Sequence, residues 1–515
     1  MPFQEPHVNK PHSAAARSLA KGVRTISRSF RFHRPRGAFC HRGWCQQCKV
    51  LDASGKVVLA CEQPPDSECR PLPHRIPGRA AGALAERLVP WFWERIAYRR
   101  GPLRQIFLAI IRRLTSAPDL PPALDGLVPL PPNLERSCDT LVIGGGLSGL
   151  VAAATLARAG RRTLLVSASR FGTEASLRAL APAEAERWID DTHKLVEVHE
   201  EQLCIGLYED GSQARCTGRH TNLSIQFETL VVATGAYDRL PIVPGNDLPG
   251  IIGIRALEAL AGIGSLSAGL QIGVYGNPDE LRRAVSAARS AGVTPAFVAG
   301  PDGCPGLSLP VIIGRLQAIR GDRHGVRSVM FQDGTERACD LLVSCLSQPT
   351  YELQAQRGAR VALRGHDATL CTMGADGKGL LVVGEAAGWF DRTDSVARTQ
   401  SAITNWLQSG TAPEPAAWVR QEAPVPSPLP DEAFVCLCED VRAKDIRQAI
   451  ADGYADVELI KRHTGAGTGP CQGKLCHGAI LHCAATAGLK VDVPTMRPLV
   501  RPVMMSQLMI PADET

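Results

Sequence analysis

The sequence lacks any run of eighteen apolar residues, so no membrane-spanning helix is expected. Its first residues lack the apolar core of an export signal. It contains no HExxH motif, no Gly-Lys-Ser/Thr phosphate loop and no Ser, His and Asp in an order that reads as a nucleophilic triad. No pair of side chains reads as general acid and base, so no catalytic residue is assigned and the chain looks built to move electrons. Aromatic residues make up only 5%, and the net charge is +6 over 515 residues, so no nucleic-acid partner is demanded. That length suffices for several domains. The basic residues gather early, at Arg24, Arg28, Arg31, Arg34, Arg36 and Arg42. They read either as a solvated face or as a docking surface for an acidic partner or an anion.

Cysteine is what the chain has in quantity: seventeen, with no export signal. That points to metal ligation in a reducing compartment and not to disulfides. A cytoplasmic protein is expected, with a peripheral place on the inner face of the membrane as the alternative. Four of the cysteines stand as Cys40-x4-Cys45-x2-Cys48-x12-Cys61, the rhythm of plant-type 2Fe–2S ligands with a shorter last gap. Gly37, Gly43, Gln46 and Gln47 suit a tight loop that turns backbone N–H groups towards sulfur. A second set, Cys436-x-Cys438 and Cys471-x4-Cys476, lies in a glycine-rich context, GAGTGPCQGKLCHG, and also reads as a 2Fe–2S site. Structural zinc is the rival at both, although only Cys45/Cys48 has the C-x2-C form of a zinc knuckle. The scattered Cys69, Cys138, Cys204, Cys345 and Cys371 read as ordinary core residues. His41 and His477, beside cluster cysteines, read as supporting or solvent-facing groups.

Between the cysteine sets lies a dinucleotide-binding pattern. A buried strand Thr140–Ile143 leads into GGGLSG and a helix from about Leu147 to Ala159; Gly160 ends it, and TLLVS forms the next strand. Gly144, Gly146 and Gly149 form G-x-G-x-x-G in the strand-to-helix context the motif requires, with Leu147 and Ser148 opening the helix whose N-terminus faces the phosphates. Two further segments fit a flavin domain: LVVATG, ending in Thr234 and Gly235, and GLLVVGEAAG, a strand entering a helix at Gly384 and Glu385. Ser167 stands where an acidic residue would hold the adenosine ribose. The exchange costs about 1 kcal/mol, roughly fivefold in affinity. It leaves room for a different adenine nucleotide, whose extra phosphate Arg161, Arg162 or Arg170 could meet. A second βαβ start at Leu270–Gly276 has the turn GNPDEL, which puts Asp279 and Glu280 where a pyrophosphate would rest. NAD(P)H is therefore not expected there.

The boundaries expected are an N-terminal 2Fe–2S ferredoxin-like domain over 1–80, a connector over 81–134, a two-Rossmann module over 135–410 with its second subdomain at about 251–345, a C-terminal 2Fe–2S domain over 411–490 and a tail over 491–515. The connector carries an amphipathic stretch, Trp91 to Leu114, and the proline-punctuated linker PDLPPALDGLVPLPPNLE. The fold class is α/β: a flavoprotein with two dinucleotide-binding domains, flanked by the ferredoxin-like domain and a small helical 2Fe–2S domain.

The segment RSFRFHRPRG, Arg28 to Gly37, resembles the alpha subunits of heteromeric amine and amino-acid oxidoreductases. These include sarcosine oxidase, opine oxidase, D-hydroxyproline dehydrogenase, the archaeal dye-linked L-proline dehydrogenases and hydrogen cyanide synthase. ATGAYDRLPIVPGNDLPGI resembles the same subunits, and CLC…GPCQGKLC resembles the domain related to bacterioferritin-associated ferredoxin. The resemblance implies a subunit that takes electrons from a separate FAD-containing, glycine/D-amino-acid-oxidase-like beta subunit and passes them to a quinone or soluble acceptor, with one more small subunit optional. It implies two 2Fe–2S clusters and FAD. By position, Gly144, Gly146 and Gly149 would hold the diphosphate, Thr234 and Gly235 would line the flavin domain, and Gly384 and Glu385, the latter in place of Asp, would approach the ribityl chain. The alternatives are a free-standing flavin-dependent NAD(P)H reductase and a nucleotide- and metal-binding scaffold without flavin.

Overall fold

The computed structural model describes residues 13–29, 31–72, 101–106, 131–171, 182–218, 220–262, 266, 269–364, 368–373, 379–410, 427–503 and 507–508. Most of the connector, including most of Trp91–Leu114 and of the proline-rich linker, lies outside them.

The glycine motif sits in the largest sheet among the described residues, whose order is 197–199, 163–166, 133–143, 222–232, 213–217 and 203–208. The strand Asn133–Ile143 is longer than its apolar run suggests. Its first half, Asn133 to Ser137, is exposed or half-buried throughout and pairs in parallel with the start of Asn222–Phe227; its last residues, Leu141 to Ile143, are buried on both faces. The strand Asn222–Val232 divides its other edge. Asn222–Gln226 pairs antiparallel with Gln213–Thr217, and Leu230–Val232 pairs in parallel with Leu380–Val382. That crossover brings the ends of three segments together: the glycine turn, Thr234–Gly235 and Gly384–Glu385. The helix Leu147–Arg158 packs on this sheet through Leu150, Val151 and Leu156, all fully buried, and Gly160 lets the chain leave it.

The second sheet is all parallel, in the order 251–253, 341–345, 272–276, 297–300 and 311–313, with the helices Ile254–Ala261 and Pro278–Ser290 packed on each other beside it. The two Rossmann units are joined through an antiparallel pair, Ala236–Asp238 with Ser347–Pro349. After Leu380–Val382 the chain does not enter a helix directly. Gly384–Ala387 is one 3-10 turn ended by Gly388 in the left-handed region, and the helix begins only at Ser395.

The N-terminal unit holds the helix Ala14–Ala20, capped by the Ser13 hydroxyl, and a hairpin Lys49–Leu51/Val57–Leu59. The C-terminal unit holds a hairpin, Phe434–Cys436/Val441–Arg442, and the helices Ala443–Ala451, Val457–Thr464 and His477–Thr486. Both expectations for the early basic residues are corrected here, because most of these arginines tie domains together. Arg36 is 2% exposed and pairs with Asp440 of the C-terminal unit and with Asp247. Arg24 pairs with Asp340 at 2.7 Å, Arg34 lies 3.8 Å from Asp247, and Arg31 donates to the Glu439 and Thr464 carbonyls. Among the described residues no helix is long and apolar enough to cross a membrane.

Candidate functional site

The glycine turn, Thr234–Gly235 and Gly384–Glu385 open on one cavity of about 660 Å³. Gly144 has φ +116°, and a Cβ there would stand 2.3 Å from the Ala233 carbonyl oxygen, so only glycine permits the turn. A Cβ on Gly149 would stand 1.8 Å from the Gly144 oxygen, which is the close helix–turn approach the motif needs. Gly144, Gly146, Leu147, Ser148, Ser167, Thr234, Gly235, Gly384 and Glu385 all line the cavity; Gly149 is buried behind it. The Ser167 hydroxyl donates to the Ser169 carbonyl at 2.7 Å. The arginines offered for an extra phosphate face elsewhere: Arg161 lies over the Trp406 ring, Arg162 pairs with Asp139 and Arg170 with Glu201.

Glu385 meets three guanidinium groups. Arg255 reaches it through Nε at 3.1 Å, Arg283 through Nη1 at 3.0 Å and Arg392 through Nη2 at 2.9 Å. Burial works against its charge, yet Arg255, Arg392 and Arg283 together hold the carboxyl well below the ordinary range. Arg255 also binds Asp238 at 2.6 Å, while Arg283 and Arg392 both bind Glu258. Glu280 closes the network: it is fully buried, accepts from the Ser347 hydroxyl and from Asn277, and burial raises its carboxyl to about 7. The carboxylate at the second helix N-terminus is thus turned inward as part of the protein's own packing. Arg255 and Arg392, which also line the cavity, are missed from sequence, where each is an unremarked arginine on a helix or loop.

The other end of the cavity is walled by both cysteine-bearing units. His41, Arg42 and Trp44 come from the first cysteine loop, and Lys474 comes from between Cys471 and Cys476. The tail contributes Val500 and Arg501. It is pinned by Val500 N–H to the Ile205 carbonyl at 2.8 Å and by Arg501 to Glu62 at 2.6 Å.

Cys40, Cys45, Cys48 and Cys61 are all buried and in mutual contact: Cys40 meets Cys45 and Cys61, and Cys61 meets Cys48. Burial opposes ionisation of Cys40, but hydrogen bonds from the Cys45 and Cys61 thiols and the Arg42 and Cys45 amides hold it well below the usual thiol range. Gly43 at φ +75° turns this loop tightly enough for those amides to face sulfur. Cys436, Cys438, Cys471 and Cys476 form a second group, with contacts Cys436–Cys438, Cys436–Cys476 and Cys438–Cys471. Hydrogen bonds from the Cys438 and Cys476 thiols and the Gly467 and Glu439 amides hold Cys436 well below the usual range against its burial. Among the described residues no three His, Cys, Asp or Glu side chains are arranged to hold a single metal ion. Four thiols in pairwise contact, fed by backbone amides, fit two irons held by two thiolates each. His477 is buried, not solvent-facing: its Nδ1 lies 2.9 Å from the Tyr351 hydroxyl, and burial followed by Lys461 and Lys474 lowers it to about 4. Cys138, Cys204, Cys345 and Cys371 are buried in the core, and Cys69 is half-buried.

Three family models match separate parts of the chain. A 2Fe-2S iron-sulfur cluster binding domain covers residues 7–70, a pyridine nucleotide-disulphide oxidoreductase domain covers 138–276, and a sarcosine oxidase A3 domain covers 430–510. The alpha subunit of sarcosine oxidase from Rhizobium meliloti (strain 1021) is 26% identical over 96% of this chain and 56% of its own length. The A subunit of opine oxidase from Agrobacterium tumefaciens (strain Ach5) is 25% identical over 73% of this chain and 92% of its own. The chain spans about half the length of the sarcosine oxidase subunits it matches, 56% of one and 45% of another. The crystal structure of L-proline dehydrogenase from P. horikoshii superposes with a TM-score of 0.66 at 17% identity, covering 98% of this chain and 95% of that one, and so shares the fold.

Proposed function

The chain is a homologue of the sarcosine oxidase alpha and opine oxidase A subunits, of the flavin-dependent oxidoreductases, and from that premise we propose that it is the electron-transfer subunit of a multisubunit amine or amino-acid dehydrogenase or oxidase. A partner subunit carrying its own FAD oxidises the amine, and this chain receives the electrons and passes them to a quinone or soluble carrier. One observation carries the reading: a single cavity runs from the glycine turn to a wall built by both cysteine-bearing loops, through His41 and Arg42 on one side and Lys474 on the other. A flavin in that cavity would accept two electrons together, and 2Fe–2S clusters beside it would release them singly.

Gly144, Gly146 and the N-terminus of the helix Leu147–Arg158 would bind the diphosphate. Arg255 and Arg392, fixed by their carboxylates, would give the cavity a rigid polar wall that does not need to reorient. Lys474 is 5% exposed and lies 5.6 Å from the Tyr237 ring centroid, with Glu352 at 3.5 Å; it keeps a cation at the end shared by both loops. The second four-cysteine group holds the second cluster in this scheme. NAD(P)H has no part in it, because Glu280 fills the start of the helix that would receive its pyrophosphate.

Anaerobic cofactor analysis of the purified chain tests this. The expected result is about four irons and four acid-labile sulfides with extractable FAD. Zinc without sulfide, or a nucleotide without flavin, would overturn it.

A further inference from the structure

The two cysteine groups lie far apart in sequence but share one hydrophobic cluster, which includes Cys40, Cys45, Cys436, Cys438, Cys471 and Cys476. A polar side chain joins them. Gln47, in the two-residue gap between Cys45 and Cys48, directs its amide nitrogen to the Cys438 sulfur at 3.4 Å, and the same nitrogen donates to the Cys45 carbonyl at 3.0 Å. One N–H is spent within its own loop and the other across the domain boundary. Gln47 is 6% exposed, so neither bond competes with bulk water. The approach is held from outside by Arg36, which donates to the Leu437 carbonyl and pairs with Asp440, flanking Cys438 on both sides.

Resting on the reading that both cysteine groups carry 2Fe–2S clusters, we infer that Gln47 is the bridge between them: it tunes the reduction potential of the C-terminal cluster and provides a hydrogen-bonded path for the electron passing from one cluster to the other. The step is a one-electron exchange. The ferrous iron of one reduced cluster is oxidised to ferric, a ferric iron of the other is reduced, and no bond or proton is transferred. An N–H donated to a ligand sulfur stabilises the more negative, reduced cluster and so raises its potential. Because the donor comes from the first cluster's own loop, the potential of the C-terminal cluster depends on the N-terminal loop being in place. Gln47 is a positioning residue, since it acts through the thiolate and not on the reacting iron.

The test uses the full chain with both clusters assembled, comparing wild type with Gln47→Leu, which keeps the bulk and removes the donor. Spectroelectrochemical titration read by electron paramagnetic resonance follows each cluster separately, with Cys61→Ser and Cys471→Ser assigning the two signals. The expected result is a more negative potential for the C-terminal cluster only, with inter-cluster transfer slowed several-fold. If Gln47→Leu does not assemble, Gln47→Asn keeps the amide but withdraws it by one methylene, and the same one-sided shift is expected. Four irons with both potentials unchanged would overturn the bridge while leaving the two-cluster reading intact. Two irons in the wild-type chain would overturn the reading beneath it.

Discussion

Replacing Glu280 by Gln tests the charge balance at the junction of the two Rossmann units. Three arginines, Arg255, Arg283 and Arg392, face four carboxylates there: Asp238, Glu258, Glu280 and Glu385. The network is neutral only when one carboxyl holds a proton, and burial assigns it to Glu280, raising that group from 4.5 to about 7. Between those values the folded state binds a proton that the unfolded state has lost, so stability falls as pH rises. The contribution is complete below about pH 4.5 and gone above about pH 7. The slope approaches about 1.4 kcal/mol per pH unit only in the middle of that window, so wild type should lose about 2 kcal/mol between pH 5 and pH 7 that Glu280→Gln does not lose. The glutamine stays neutral and can still accept from Asn277 and donate to the Ser347 oxygen. Hydrogen exchange of Ile272–Gly276 and Leu341–Cys345, read peptide by peptide, reports the local stability of the sheet beside Glu280 without requiring the whole chain to unfold as a unit. The variant should be the more stable above pH 7, with the gap closing towards pH 5. Parallel pH profiles for the two proteins would show that Glu280 does not hold the proton.

Gly149→Ala puts a methyl into the Gly144 carbonyl, a backbone atom that cannot swing away; the strain of about 1–3 kcal/mol should displace the turn, and the purified variant should retain little flavin, measured as the flavin-to-protein absorbance ratio. An unchanged ratio would remove the glycine turn from the binding site. Asp440→Ala leaves buried Arg36 with Asp247, 3.4 Å away, as its one remaining carboxylate, and should destabilise the joint between the cysteine-bearing units by about 3 kcal/mol. Visible cluster absorption at both sites should then be lost at lower urea concentrations than in wild type. Ending the chain after Arg497 removes Pro498, which packs on Gly206, together with the cavity-lining Val500 and Arg501; flavin should then be lost on gel filtration although both clusters remain.

Local pattern made the flavin-type unit and both cysteine groups legible. A glycine motif between a buried strand and a helix needs no distant information, and neither does a pair of short cysteine gaps. What stayed hidden depends on pairing across the chain. The early half of Asn133–Ile143 carries Glu135 and Arg136 and does not look like a strand, yet it is one because Asn222–Phe227 lies beside it. GLLVVGEAAG reads as a strand entering a helix, but Gly388 in the left-handed region stops the 3-10 turn after Ala387. Arg255 and Arg392 carry no motif; only the fold brings them to Glu385, 130 and 7 residues away. The tail has no periodicity, and its place against the cavity follows from distant partners: the Ile205 carbonyl, which accepts the Val500 N–H, and Glu62, which pairs with Arg501.

The early arginines show why composition misled at one point. A run of positive charge with few nearby acids looks like a surface for an outside partner. Its acids are present but remote: Asp247 and Asp340 belong to the second Rossmann unit, and Asp440 belongs to the C-terminal unit. Buried ion pairs of this kind add little net stability over apolar packing, but they penalise any arrangement that leaves an arginine buried alone. Arg36 has Asp247 within reach as well, but it gains its second carboxylate only when the first cysteine loop sits against Asp440, which is also the arrangement that brings Gln47 to Cys438. The charge pattern therefore acts as a register device: it selects the one docking of the cysteine-bearing units in which their two sites are neighbours.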